Sequence, residues 1–265
     1  MEFKYLDNSC NTQVPLPGRP NSVVSPGTKY YTQYPYSGTA VMLMLLPETN
    51  YTPEILIMGG QDVNANANLN ISACSESLRL TVQLPNATNP TYLFGGGWVQ
   101  EYMGSPRVMP DSVLLPNGVV ILMNGNQAGL AGDSASGGDS KAYYPNFFAG
   151  ERREREVVKH FRAAFFQEAG GLGWQGSLHY PPPLINCPQI PTEMYDPYAP
   201  VNQRWTTLAR SQIPRQYHST AVLTTNGTIL VSGCDRCAKV TSSLPYAQSP
   251  YKAEYRQEIF FPPFW

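Results

Sequence analysis

Short apolar runs closed by Gly, Pro, Asn or Ser recur along this chain, and they predict strands rather than helices. Tyr34-Pro-Tyr-Ser-Gly-Thr-Ala-Val-Met-Leu-Met-Leu-Leu46 runs into a turn over residues 47–53 and then into Glu54-Ile-Leu-Ile-Met-Gly-Gly60, a buried antiparallel hairpin. Leu78-Arg-Leu-Thr-Val82 alternates as a strand does, and Trp98-Val-Gln-Glu-Tyr-Met103 follows it. Two further hairpins turn at Asn117-Gly118 and Asn226-Gly227, where a type I′ turn with positive φ at both central residues is expected. A short strand at Arg204-Trp-Thr-Thr-Leu208 and an alternating one at Ala253-Glu-Tyr-Arg-Gln-Glu-Ile-Phe-Phe261 complete the set.

The hairpins repeat. Pro106-Arg107 leads to Asn117-Gly118 as Pro214-Arg215 leads to Asn226-Gly227, with ten and eleven residues from Arg to Asn. Each Asn-Gly is followed by an aliphatic strand that ends at Gly, and Tyr36-Ser-Gly-Thr-Ala-Val41 echoes His218-Ser-Thr-Ala-Val222. Three copies of loop, strand, turn, strand and Gly predict an all-β fold, a partial kelch-type β-propeller. Blades of that type take roughly 50 residues, so 265 residues hold about four, with sheet edges left open. Residues 1–30 read as an irregular lead-in and residues 31–265 as the incomplete propeller, stretched by an insertion at about 134–191. Within the insertion, Val157, Val158, Phe161, Ala164 and Phe165 form a helical stripe with charges opposite and Gly170-Gly171 as a stop. That predicts an inserted amphipathic helix over residues 150–171, lying on the blades or docking a partner.

Composition narrows the class. A net charge of −1 with no basic block argues against nucleic acid as the main partner. No apolar run approaches the ~20 residues of a membrane span. The N-terminus lacks the basic start and apolar core of a signal peptide. Four acceptor sequons, at Asn50, Asn70, Asn86 and Asn226, point instead to a secretory history, so the sequence is expected to begin inside a longer one. Its end at Pro262-Pro-Phe-Trp265, rich in apolar groups, carries the same expectation.

Five cysteines cannot all pair within one chain. Cys234-Asp-Arg-Cys237 lacks the second Cys pair or His pair of a zinc site and the βαβ context of a redox motif. A short disulfide pinning a loop is expected there, with free thiols the alternative. The sharper chemistry is Tyr217-His218, which offers a phenolate oxygen and an imidazole nitrogen side by side just before the third hairpin, a ligand pair suited to copper. The bland alternative is a strand-edge tyrosine beside a surface histidine. Asp111 and Arg107 read as an ion pair linking loops between blades, with polarising the site the alternative, Trp98 and Trp205 as packing between blades, and Glu254, Arg256 and Glu258 as a solvated or inter-blade charged face. Gly129-Leu-Ala-Gly132 lacks the Lys-Ser/Thr of a phosphate loop.

Several blocks in one order resemble the copper-radical oxidases, glyoxal oxidase more closely than galactose oxidase. They are Tyr34-Pro-Tyr-Ser-Gly-Thr-Ala-Val41, Tyr51-Thr-Pro-Glu-Ile-Leu-Ile-Met-Gly-Gly60, Trp98 with Glu101 and Met103, and Arg107-Val-Met-Pro-Asp-Ser-Val-Leu-Leu-Pro-Asn-Gly118. Asn124-Gly125, Ala128-Gly-Leu-Ala-Gly132, Ile213-Pro-Arg-Gln-Tyr-His-Ser-Thr-Ala-Val222 and Glu254-Tyr-Arg-Gln-Glu-Ile-Phe-Phe-Pro-Pro-Phe264 continue the series. The resemblance covers roughly residues 30–133 and 192–264. It implies a seven-bladed propeller with one copper held by two tyrosines and two histidines, one tyrosine cross-linked to cysteine and carrying a radical. Aldehydes or primary alcohols would be oxidised by O2 with release of H2O2, outside the cell. By resemblance Tyr217 is the axial phenolate that accepts the substrate proton, His218 is an equatorial ligand, and Cys234 and Cys237 look like a short disulfide.

The family's cysteine and radical tyrosine belong to earlier blades and its second histidine to a C-terminal β-sandwich, and none of these is matched here. His160 and His179 both lie in the insertion. The expectation is an oxidase fragment that is inactive alone; the alternative is a non-catalytic propeller scaffold binding protein or carbohydrate through its loops.

Overall fold

The computed structural model describes residues 4–6, 13–68, 71–88, 91–131, 142–143, 165–168, 191–211, 213, 215–233 and 256–263. These form strands and two short 3-10 turns, with no α-helix among them. Three four-stranded antiparallel sheets carry the architecture. The first runs Gly38–Met42, Glu54–Gly59, Glu76–Thr81 and Val99–Tyr102 in simple meander order. In the second, Asp111–Leu114, Val120–Met123, Pro191–Tyr195 and Trp205–Arg210 pair in the same order, with the insertion between its middle strands. The third takes Thr220–Leu223, Ile229–Ser232 and Glu258–Phe261. Its fourth strand, Phe165–Glu168, comes from the insertion and pairs Phe165 with Phe261 through Glu168 with Glu258.

That last pairing corrects the helix expected over residues 150–171: Phe165–Glu168 is a strand, and residues 150–164 and 169–171 lie outside the described residues. Phe-Phe is a β-favouring pair, and the free edge of Glu258–Phe261 offers a full ladder of backbone partners. Of the hydrophobic stripe only Phe165 is described, and Val157, Val158, Phe161 and Ala164 lie outside the described residues. The described four-stranded sheets number three, against about four expected blades.

The Asn-Gly turns are also not type I′. Only Gly118 and Gly227 take positive φ, at 85° and 84°. Gly118 N–H donates to Leu115 C=O and Gly227 N–H to Thr224 C=O, so each loop is a three-residue turn closed by a left-handed glycine. Pro116 suits the second position of such a turn. Asn226 spends its side-chain oxygen on Thr228 instead of taking the left-handed conformation itself.

Two cores lie between the three sheets, and the middle sheet serves both. Val120 and Leu122 join Leu56, Met58, Met103 and Tyr195 on one side. Ile121 and Met123 join Val113, Met194, Ile229, Val231 and Phe260 on the other. Alternation thus sends successive side chains into different cores, which is why Val120–Met123 reads as an unbroken apolar run. Each such burial contributes about 1.5–3 kcal/mol. Polar groups lock the first interface as well: Arg204 and the Asn202 N–H each reach Glu101 at 2.8 Å, and Trp205 Nε1 donates to Ser77 Oγ at 3.0 Å.

The first strands of neighbouring sheets lie beside one another. The Thr39 and Ser112 hydroxyls bond at 2.8 Å, and Ser219 Oγ donates to Asp111 Oδ2 at 2.9 Å. The same end of each sheet is tied by one backbone bond, from Gly60 N–H to Arg107 C=O and from Gly125 N–H to Arg215 C=O, both 2.8 Å. The Tyr217-His218 segment starts at that end. No helix of the described residues is long and apolar enough to cross a membrane.

Candidate functional site

A buried arginine anchors the site from below. Arg215 is 1% exposed and donates to the main-chain oxygens of Gly233 and Arg256 and to Glu258 Oε2. Its counterpart Arg107 bonds the Asn124 and Pro191 carbonyls and pairs with Glu193 at 3.7 Å. In the first sheet Arg19, from the lead-in, bonds the Gly59 carbonyl and Cys74 Sγ, while Glu76 receives the backbone N–H groups of Val23 and Val24. One slot is therefore filled three times: a strand-end carbonyl, and a third strand carrying Cys74-x-Glu76, Pro191-x-Glu193 or Arg256-x-Glu258.

This frame revises several sequence expectations. Arg107 pairs with Glu193 and not with Asp111, whose Oδ2 instead accepts from Asn124 and Ser219. Glu258 is buried against Arg215, so it belongs to no solvated face, whereas Arg256 is exposed and Glu254 lies outside the described residues. Trp205 does bridge two sheets, while Trp98 bonds Pro17 of the lead-in at 2.8 Å. Sequence reasoning missed Arg19, Cys74, Glu76 and Glu193; aligning the third strands on their shared x-Glu step would have found the acids.

Burial without full compensation shifts these groups. It pushes Glu193, Glu258 and Asp111 above the ordinary carboxylate range, against the pull of Arg107, Arg215 and the hydrogen bonds of Asn124 and Ser219 respectively. Burial also takes the Cys74 thiol up to about 11, so it stays protonated as a core group.

After Arg215 the chain makes a tight turn, Gln216-Tyr217-His218-Ser219, closed by Ser219 N–H to Gln216 C=O at 2.8 Å. His218 sits at φ 60°, the left-handed value the third residue of a type II turn needs and which non-glycine residues rarely take. Met109 holds the same conformation, φ 59°, at the matching point of the second sheet, so the backbone belongs to the repeat and the Tyr-His side chains are what the third copy adds. The close approach demands glycine opposite: a Cβ on Gly233 would stand 2.6 Å from His218 O, as one on Gly125 would stand 2.5 Å from Val108 O.

The two rings stack, with centroids 3.8 Å apart and planes 24° from parallel. Tyr217 is half-buried and His218 exposed. The half-exposed Tyr34 ring leans on Tyr217 at 5.6 Å. The Tyr217 N–H donates to Ala131 C=O of the second sheet's loop at 3.2 Å. Phenol and imidazole thus stand together at the ends of the sheets, facing solvent, and as donor types they fit two positions of a copper site. Among the described residues no group of three or more His, Cys, Asp or Glu could hold a metal ion. Cys234, Cys237, Cys10, Cys187, His160 and His179 lie outside the described residues. So does Asn70, while Asn50 and Asn226 are exposed in turns and Asn86 is exposed in an irregular segment.

Antiparallel sheets set side by side, with a phenol–imidazole pair at their ends, define the class: an all-β chain with a candidate metal-ligand turn. Residues 23–166 and 179–264 match the family described as glyoxal oxidase N-terminus. The chain belongs to that family, the glyoxal oxidase branch of the copper-radical oxidases. It is 27% identical to a WSC domain-containing protein of Arthroderma benhamiae over 87% of this chain and 17% of that protein. It is 28% identical to aldehyde oxidase GLOX1 of Arabidopsis thaliana over 63% of this chain and 18% of that protein. The figure is 27% for aldehyde oxidase GLOX of Vitis pseudoreticulata, over 85% of this chain and 31% of that protein. Among solved structures, a fungal alcohol oxidase of the AA5 family in complex with copper is similar, at 16% identity and a TM-score of 0.47 over 96% of this chain and 34% of that one. The chain thus spans less than a third of the length of these three curated relatives.

Proposed function

We propose that this chain is the part of a copper-radical oxidase that supplies Tyr217 and His218 to the metal, its three sheets being blades of a larger kelch-type propeller. The observation that carries the reading is the Tyr-His ring stack on a turn bonded to two sheets, in a chain of the glyoxal oxidase family. Copper, when bound, would accept electrons from an aldehyde or primary alcohol and pass them to O2, yielding H2O2. Tyr217 would present its phenolate oxygen as the base that takes the substrate proton, a role for which a metal-bound phenolate is suited. His218 would present an imidazole nitrogen, and the exposure of its ring leaves an approach for substrate. The further ligands and the radical group would come from other parts of the oxidase, so the chain alone binds copper without turnover. A secreted setting suits this chemistry and the exposed sequons at Asn50, Asn86 and Asn226. The competing reading is a metal-free scaffold that binds protein or carbohydrate through its loops.

Copper titration of the chain separates the two. A Cu(II)–phenolate charge-transfer band lost in Tyr217→Phe, with nitrogen coupling in the EPR spectrum lost in His218→Ala, is expected. Identical copper spectra in wild type and both variants would overturn the copper reading in favour of the scaffold. H2O2 formation from methylglyoxal by the chain alone would overturn the claim that the site needs further parts.

A further inference from the structure

We propose that Asp111 is the positioning residue of the Tyr217-His218 turn, holding it from the neighbouring sheet. The inference rests on the reading of those two residues as metal donors, and its geometry stands without it. Asp111 opens the first strand of the second sheet, and its Oδ2 accepts from Ser219 Oγ at 2.9 Å and Asn124 Nδ2 at 2.7 Å. Ser219 follows His218 directly, and its N–H closes the turn. The carboxylate therefore grips the outgoing leg of the turn, while Gly125 N–H grips the incoming leg through Arg215 C=O. Asn124 is itself fixed, at φ 59° with its carbonyl accepting from Arg107 Nη1 at 3.0 Å. From Arg107 the buried frame thereby reaches the turn through three hydrogen bonds.

The chain contains its own comparison. At the junction of the first and second sheets the matching left-handed residue is Met109, in a segment that carries no ligand side chains. There the link between sheets is a backbone bond from Met109 N–H to Ser37 C=O and the neutral Thr39–Ser112 hydroxyl pair. A carboxylate stands at the junction that bears Tyr217 and His218. One carboxyl oxygen there receives two side-chain donors at once, and donor groups must be held within about 0.5 Å to keep a metal geometry.

Imidazole proton NMR of the whole chain tests this. There are three histidines, and His218→Gln assigns the signal shifted upfield by the Tyr217 ring. Asp111→Ala should lose that shift, and Asp111→Asn, which keeps an acceptor oxygen, should retain most of it. Thr39→Val removes the hydroxyl bond at the other junction and should lower stability while leaving the His218 signal in place. An unchanged signal in Asp111→Ala, or an equal change in Thr39→Val, would overturn the proposal. Substoichiometric Cu(II) should broaden His218 in wild type and need about 10- to 100-fold more metal in Asp111→Ala, the usual cost of losing a ligand's supporting bond. Equal affinity in the two would overturn it as well. Copper that leaves wild-type His218 sharp would sink the metal reading instead, while the upfield shift still decides the role of Asp111.

Discussion

Arg107→Met asks whether the buried arginine frame carries the fold. Arg107 is fully buried, donates to the Asn124 and Pro191 carbonyls, and lies 3.7 Å from Glu193, itself 1% exposed. Besides Arg107, Glu193 is met by the side chain and backbone of Ser105, and burial still outweighs them all. Removing the cation strands a carboxylate that burial already pushes upward. Breaking such a pair costs about 3–5 kcal/mol, or roughly 6–20 °C in Tm for a chain of this size. Adding Glu193→Leu removes the orphan, and replacing both members of a buried pair by apolar groups is often neutral or better. Recovery should be incomplete, because the Asn124 and Pro191 carbonyls lose Arg107 as a donor, at about 1–3 kcal/mol each. Urea unfolding followed by tryptophan fluorescence reads both effects, with Trp205 in the same sheet as reporter. A loss below about 1 kcal/mol in Arg107→Met, or a double variant no more stable than the single, would show that the frame is ornamental and the reasoning wrong.

Gly233→Ala puts a side chain at φ 80° and 2.6 Å from His218 O; it should cost more than about 1 kcal/mol and move the His218 imidazole signals, and an unshifted spectrum would contradict the packing. Phe260→Ala, at 0% exposure in the core between the second and third sheets, should cost about 3–5 kcal/mol in urea unfolding, and a cost near zero would mean that this core is not formed. Asp111 has its pKa raised by burial, so the folded chain holds that proton more tightly than the unfolded one. Its contribution is therefore fully present below the ordinary Asp range and is lost as pH rises through the folded value. The urea midpoint should fall with rising pH across that window and fall less in Asp111→Asn; equal slopes would refute the assignment.

Much of the candidate site was legible in the chain itself. Tyr217-His218 is a local pair, and the strand-ending glycines mark where backbone approaches backbone, as Gly233 does at His218. Alternation and turn residues fixed the strands for a local reason as well, since pleating and left-handed turns depend on a few neighbouring residues. What spans sheets was not legible. Nothing local told Arg107 to choose Glu193 over Asp111, or Arg19 to fill the first sheet's slot, because those choices depend on which strands lie third in each sheet. Phe165–Glu168 became a strand only because a distant free edge, Glu258–Phe261, was there to pair with it. Local pattern placed most of the strands, the positions of the turns and the two side chains with ligand chemistry. Tertiary structure decided their partners, since burying a charge or completing a ladder is settled by whichever distant group desolvation brings within reach.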